Sequence, residues 1–262
     1  MMTQGDPTMP ILAGAEPFFY QGNGTGCLLV HGFTATPQEM AGLGRYLAAQ
    51  GLTVRGVRLA GHGTHPDNLA RTSWTDWVAG VRLGYEDLAA RCHQVFVMGL
   101  SLGGALSLHL AAHAGPPLAG VVAMGTPIYL SSRLLPLAPL LRRFVRHIPK
   151  QRTPDWFDPQ AQARRVAYDR YPVAAVGQFV AFQRHLWYDL PEVRVPVLLL
   201  HSRQDTTAES ANMPLIHDML GSRDKRMVWI DGSNHILTED AAREQVWRLC
   251  RGFVMEIAGG VD

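Results

Sequence analysis

Short apolar runs alternate with stretches of helical periodicity along this chain, starting near Pro17. Cys27-Leu28-Leu29-Val30 is a run of strand length that ends at His31-Gly32-Phe33. Residues 38–50 then bring Met40, Leu43 and Leu47 to one helical face, with Gly51 as the stop. Leu52–Val57 reads as a second strand and leads into the loop Gly61-His62-Gly63. From Ser73 to Ala90, Trp74, Trp77, Val78, Val81, Tyr85 and Leu88 recur at helical spacing, and Ser73 with Asp76 makes a capping box at the start. Val95–Gly99, Gly120–Met124, Val195–Leu200 and Met227–Ile230 complete the set of strand candidates. A last helix over residues 238–257 puts Ala242, Val246, Leu249, Phe253 and Ile257 on one face.

Strands that are apolar on both faces and separated by helices predict an α/β fold, a parallel sheet covered on both sides. The alternation breaks once. Between Gly125 and Val195 there is no clear strand, and a gap of roughly 65 residues is too long for a structureless connection. Residues 128–190 therefore read as an inserted helical cap within one domain, 16–262, after a loose tail, 1–15.

Charge sharpens this picture. Only 18% of residues are charged, and from Cys92 to Ser132 there is no Asp, Glu, Lys or Arg at all. Glycines and prolines interrupt that stretch, so it offers no window of about 20 apolar residues for a transmembrane segment. It reads instead as buried sheet and helix. A net charge of +2 leaves no electrostatic footprint for nucleic acid. Cys27, Cys92 and Cys250 lie far apart with no CxxC, which predicts neither a disulfide framework nor a thiolate zinc site. The N-terminus lacks the pattern of a signal peptide, and the expected location is cytoplasmic.

Gly99-Leu100-Ser101-Leu102-Gly103 matches G-x-S-x-G directly after a strand and opens a helix of small residues, Gly104–Ala112. That context defines a nucleophile elbow, in which glycines two before and two after the serine leave room for a sharp strand-to-helix turn. Alone, the motif is also what a simple turn in a glycine-rich chain looks like; the flanking strand and helix decide for Ser101 as nucleophile. A serine needs a base, and the base an orienting carboxylate. In this fold the order is Ser, acid, His. His235, just after the strand ending at Ile230, and Asp205, just after the strand ending at Leu200, satisfy both order and placement. Asp231 and His217 are weaker rivals. His62 and His65 form an H-x-x-H without a third ligand, so no metal is expected there; His109 and His113 read as helix-face residues. Two backbone N–H groups, of Leu102 and of Phe33, are the predicted oxyanion donors.

The segments Leu29-Val30-His31-Gly32-Phe33-Thr34, Gly61-His62-Gly63 and Met98–Gly104, with Thr126-Pro127-Ile128-Tyr129, Arg203-Gln204-Asp205, Ser210-Ala211-Asn212 and Ser233-Asn234-His235, resemble the α/β-hydrolase superfamily. More narrowly they resemble small bacterial carboxylesterases and monoacylglycerol lipases, from about Pro17 to the C-terminus. The resemblance implies an α/β-hydrolase fold with an inserted cap, the triad Ser101, Asp205 and His235, and Phe33 and Leu102 as oxyanion donors. Two departures stand out: Asn234 where the family usually has Gly, and Thr206-Thr207-Ala208 where it tends to carry apolar residues. The expected activity is hydrolysis of small-molecule carboxylic esters, with no cofactor and an apolar acyl chain as the substrate's recognised part. A thioesterase or other acyl hydrolase on the same triad, or a non-catalytic hydrolase-fold binding protein, are the alternatives. The apolar run 134–141, flanked by Arg133, Arg142, Arg143, Arg146, Lys150 and Arg152, suits an acyl entrance, packing of the cap on the core, or contact with lipid surfaces.

Overall fold

The computed structural model of the chain describes residues 9–116, 118–129, 145–150 and 156–259. All six runs read as strands form strands: β2 (Thr25–Val30), β3 (Thr53–Val57), β4 (Gln94–Leu100), β5 (Leu118–Met124), β8 (Val197–Ser202) and β9 (Lys225–Ile230). A further strand, β1 (Phe18–Tyr20), precedes them. Among the described residues these make a seven-stranded sheet in the order β1-β3-β2-β4-β5-β8-β9, parallel except for β1, which runs antiparallel to β3. Three residues are too few for β1 to show a period. Its seat is a missing side chain opposite: a Cβ on Gly56 would lie 2.2 Å from the Phe18 ring.

The central strands bury both faces, and alternate residues sort into two cores. Leu28, Val30, Val95, Val97, Val121, Leu199 face one way and pack under α3 (Trp74–Ala89), α4 (Leu102–His113) and the later helix α6 (Val173–Asp189). Cys27, Leu29, Phe96, Met98, Val122 and Leu200 face the other way, under α1 (Gln38–Ala48) and the C-terminal helix α8 (Arg243–Ala258). The capping box at Ser73 and Asp76 is formed. Nine of the twelve residues of α4 are buried, so the helix is apolar all round and lies in the uncharged stretch, where an unpaired charge would be costly. All three cysteines are free and buried; burial pushes the Cys250 thiol up to about 12, which makes it no nucleophile.

Two expectations change. The insertion is not purely helical. Besides α5 (Pro159–Arg164) and α6 it carries an antiparallel ribbon, β6 (His147–Pro149) with β7 (Arg170–Pro172), whose proline-bounded strands are too short to show a pattern. The run 134–141, with Arg133, Arg142, Arg143 and Arg152, lies outside the described residues. Arg146 is exposed, but Lys150 turns inward. The last helix begins at Arg243, not at 238, because the buried Asp240 is used as an acceptor and the chain must turn around it. A short helix, α7 (Asn212–Met219), joins β8 to β9, and α2 (Pro66–Leu69) is a single turn. Among the described residues no helix is long and apolar enough to cross a membrane.

Candidate active site

Strand β4 runs straight into α4 through Ser101, whose φ of 56° and ψ of −118° lie in a region that a non-glycine residue seldom occupies. The turn is held by the Ser101 N–H, which donates to the Met124 carbonyl at 2.7 Å. Glycines are compulsory around it. A Cβ on Gly99 would lie 2.1 Å from the Gly103 carbonyl carbon, and one on Gly103 would lie 2.1 Å from the Val30 carbonyl oxygen. The helix start is thus pressed directly against the end of β2. Ser101 ends up 8% exposed at the carboxyl edge of the sheet, where ligands of open α/β sheets bind.

The loop after β2 faces it. An ideal Cβ on Gly32 would be 3.4 Å from the Ser101 Cβ. Three side chains fix this loop. His31 accepts the Leu59 N–H on Nε2 at 3.1 Å and so donates Nδ1–H to the Gly32 carbonyl at 2.9 Å; burial lowers its basicity, in keeping with a neutral ring. Glu39, 1% exposed, accepts the Gly32 N–H and is paired with Arg165 from the cap at 3.2 Å. Thr34, at φ 61°, accepts from the Lys150 ammonium at 2.5 Å, and its carbonyl accepts the Tyr168 N–H at 2.9 Å. Burial, and then the Arg165 charge, bring Lys150 down to about 7. Between these anchors the Phe33 N–H is left without a partner among the described residues, as is the Leu102 N–H at the first position of α4. The Phe33 ring stacks on Tyr171 of the ribbon and packs against Phe179 of α6 at 5.3 Å, making an apolar wall beside these donors.

His235 and Asp205 meet on the other side. His235 Nδ1 lies 2.7 Å from Asp205 Oδ2, and the imidazole covers Gly125, the residue after the carbonyl that holds Ser101. Asp205 is 1% exposed at its side chain. Burial pushes its carboxyl up, but the His235 charge, hydrogen bonds from His201 and His235 and the Ala208 N–H outweigh it and hold the group well below the ordinary carboxylate range. An ionised Asp205 requires the proton on His235 Nδ1, which leaves Nε2 as the basic nitrogen.

The sequence reading named these five residues, and the structure brings them to one edge of the sheet; the rivals stand elsewhere. Asp231 is exposed, with Arg203 at 3.6 Å, and His217 pairs with its neighbour Asp218. His62 is buried behind Phe33, whereas His65 caps α2 at the surface. The roles of four supporting residues escaped the sequence reading. His201, 1% exposed, places Nε2 3.0 Å from the same Asp205 oxygen that meets His235. Asp240 accepts the Asn234 N–H at 2.7 Å and, from the cap, the Asp158 N–H at 2.8 Å. Glu39 was signalled by Thr36-Pro37-Gln38-Glu39, which looks like an ordinary helix start, and Asn212 by its motif alone; its amide oxygen accepts the Ile128 and Tyr129 N–H groups. The departures at Asn234 and Thr206 are partners: Asn234 Oδ1 accepts the Thr206 N–H at 3.1 Å, and Asn234 Nδ2 donates to Thr206 Oγ1 at 3.1 Å.

Residues 25–242 match the family model described as serine aminopeptidase, S33. The chain is 33% identical over 253 residues to the thermostable monoacylglycerol lipase of Bacillus sp. (strain H-257), covering 95% of this chain and 98% of the relative. It is 27% identical over 234 residues to a carboxylesterase of Bacillus subtilis (strain 168), covering 88% and 92%. A solved structure from work on LipS and LipT, two metagenome-derived lipolytic enzymes, superposes with a TM-score of 0.89 at 30% identity, over 94% of this chain and 100% of that one.

Gly103→Ala forces a Cβ into the Val30 carbonyl and is expected to cost about 2–3 kcal/mol or more. Gly252→Ala, in an open position of α8, is expected to gain about 0.5–1 kcal/mol. Urea unfolding of both variants checks the contrast; equal effects would contradict the packing described. Glu239, in the turn after His235, provides a pH test. Burial, then the charge of Glu39, push its carboxyl up to about 7. The folded chain therefore keeps a proton that the unfolded chain loses near pH 4.3, so ionisation costs stability increasingly from there through pH 7 and fully above it. Glu239→Gln is expected to raise the free energy of urea unfolding at pH 8 by about 1–2 kcal/mol after allowance for solvent screening, and to leave it nearly unchanged at pH 4.

Proposed function

The chain belongs to the serine aminopeptidase, S33, family of α/β-hydrolases, and on that footing we propose that it hydrolyses carboxylic esters of the carboxylesterase and monoacylglycerol lipase kind through an acyl-enzyme on Ser101. The observation that carries this reading is the buried 2.7 Å contact of His235 with Asp205 above Gly125, beside a serine held in an elbow. Ser101 Oγ attacks the ester carbonyl while His235 Nε2 takes its proton. Asp205 keeps the imidazole in the required tautomer and stabilises the imidazolium. The Phe33 and Leu102 N–H groups bind the oxyanion, and α4 adds its positive end. His235 then protonates the departing alcohol, and a water activated by the same imidazole releases the acid. Phe33, Phe179 and Tyr171 give the acyl chain an apolar wall, and the named activities of the relatives favour esters over amides as substrates.

A fluorophosphonate probe followed by peptide mass mapping is expected to place one adduct on Ser101, and Ser101→Ala to abolish both labelling and turnover. p-Nitrophenyl esters from acetate to palmitate, monoacylglycerols and aminoacyl anilides then sort esterase, lipase and peptidase action; labelling elsewhere, or turnover of the anilides alone, overturns the reading. His201 supplies a finer test. Its Nε2–H is shared between the Ala208 carbonyl at 3.1 Å and Asp205 Oδ2 at 3.0 Å, and so withdraws negative charge from the oxygen that faces His235. His201→Leu is expected to lower kcat about tenfold with little change in KM and to move the acid limb of the pH–rate profile to higher pH, while His201→Gln restores much of both. A fall in kcat without a shifted limb would mean that His201 is packing only.

A further inference from the structure

A second cluster of polar side chains stands at the far end of α4. His109 and His113 are one helical turn apart there, and Asp189 closes α6 opposite them. His109 Nδ1 lies 2.7 Å from Asp189 Oδ2, and His113 Nε2 lies 3.0 Å from Oδ1, so one carboxylate turns a different oxygen to each ring. The three ligand-bearing atoms all fall within 4.8 Å of one another. Trp74 and Phe182 meet His109 edge-on at 6.2 and 5.5 Å and wall the cluster on its inner side. Asp189 and His109 are only 14% and 13% exposed, whereas His113, at 44%, opens to solvent.

We propose that His109, His113 and Asp189 form a binding site for a divalent transition-metal ion of the zinc class, which clamps the cap helix α6 onto the nucleophile helix α4. Histidines at i and i+4 place two ring nitrogens on one side of a helix, the spacing by which helical zinc sites take two of their ligands. Two imidazoles with one carboxylate suit Zn²⁺, Co²⁺ or Ni²⁺ and are wrong for Ca²⁺ or Mg²⁺, which seek oxygen. Metal–ligand bonds of about 2.0–2.1 Å set tetrahedral ligand atoms roughly 3.3 Å apart. The three ligand atoms, already within 4.8 Å of one another, reach that spacing by small side-chain adjustments, the two histidine–carboxylate contacts of 2.7 and 3.0 Å opening as the set closes around the ion. The protons balance without an acid or base: each neutral ring shifts its N–H to the opposite nitrogen, Nε2 in His109 and Nδ1 in His113. Water completes the coordination on the open side of His113.

The site is structural in purpose. His109 lies eight residues beyond Ser101, about 12 Å along the helix, too far for the ion to touch reacting atoms. It acts instead on α6, which carries Phe179 against Phe33 and whose Gln183 donates to the Pro127 carbonyl at 3.0 Å. An ion here ties the wall of the apolar site to the helix that presents the serine. The proposal stands independently of which ester is cleaved.

The test uses the full chain, stripped with a chelator and titrated with CoCl₂ and, separately, ZnCl₂. One equivalent of Co²⁺ is expected to give saturable visible absorption of a four- or five-coordinate ion, and Zn²⁺ to raise Tm by several degrees. His113→Ala, at a solvent-facing position, and Asp189→Asn are both expected to lose the absorption and the metal-dependent rise in Tm, whatever their baseline stability. Absence of the cobalt signal in the unaltered chain, or an equal signal and rise in both variants, would overturn the proposal and leave the three residues as a hydrogen-bonded tie between helices.

Discussion

The closeness of two backbones governs the active edge of this protein. The first turn of α4 lies against the last residues of β2 so tightly that no side chain fits at Gly103, and the same compression leaves none at Gly99. That contact does three things together. It forces Ser101 into its strained turn, it sets the loop after β2 beside the serine, and it brings two backbone N–H groups from different segments to one edge of the sheet. A looser packing would keep the sheet and lose the alignment, because the Leu102 donor belongs to α4 and the Phe33 donor to the loop after β2. The strain at Ser101 is sustained by the apolar burial of α4 behind it, and the absence of charge from Cys92 to Ser132 is what permits that burial.

Three interior carboxylates near this edge are committed to backbone donors. Glu39 takes the Gly32 N–H, Asp205 the Thr207 and Ala208 N–H groups, and Asp240 the Asn234 and Asp158 N–H groups. Each of these carboxylates therefore shapes a loop that carries a functional group, and each recovers by hydrogen bonding what it loses in hydration. Of the three, only Asp205 is also turned toward an imidazole, that of His235, and it has a second histidine beside the same oxygen.

Much of this was legible in the sequence for a physical reason. Strands buried on both faces leave continuous apolar runs, and an elbow leaves a fixed glycine spacing, so the six strands and the turn at Ser101 follow from local pattern. What stayed hidden is held by partners distant along the chain. His201 has no local signature beyond standing four residues before Asp205, Glu39 resembles a helix start, and β1 is readable only once Gly56 lies opposite Phe18. The cap was read as helical because length implies structure but not its kind; its ribbon is fixed by pairing across more than twenty residues, and proline-bounded strands show no period. The departures at Asn234 and Thr206 show the same limit from the other side. Together they form a paired hydrogen bond between the loops of His235 and Asp205, one half through the Thr206 backbone N–H and the other through its hydroxyl.

The manner in which the cap is fastened follows from the same logic. Lys150 donates to Thr34, Arg165 pairs with Glu39, Tyr168 reaches both Thr34 and Gly61, and Asp158 binds Asp240. These polar contacts end on the loop after β2, on the α1 carboxylate of Glu39 that holds it, on the glycine-rich loop beside it or on the carboxylate that anchors the His235 loop, whereas the apolar contacts of α6 fall on Phe33 and the core above α4. Directional bonds tie the cap to the parts that must be exact, and non-directional packing fills the space between. A cap held in this way defines the apolar wall and the geometry of the donors jointly. On the proposed function, substitutions in it act on catalysis through the loops that it grips, and rate and acyl preference answer to one set of contacts.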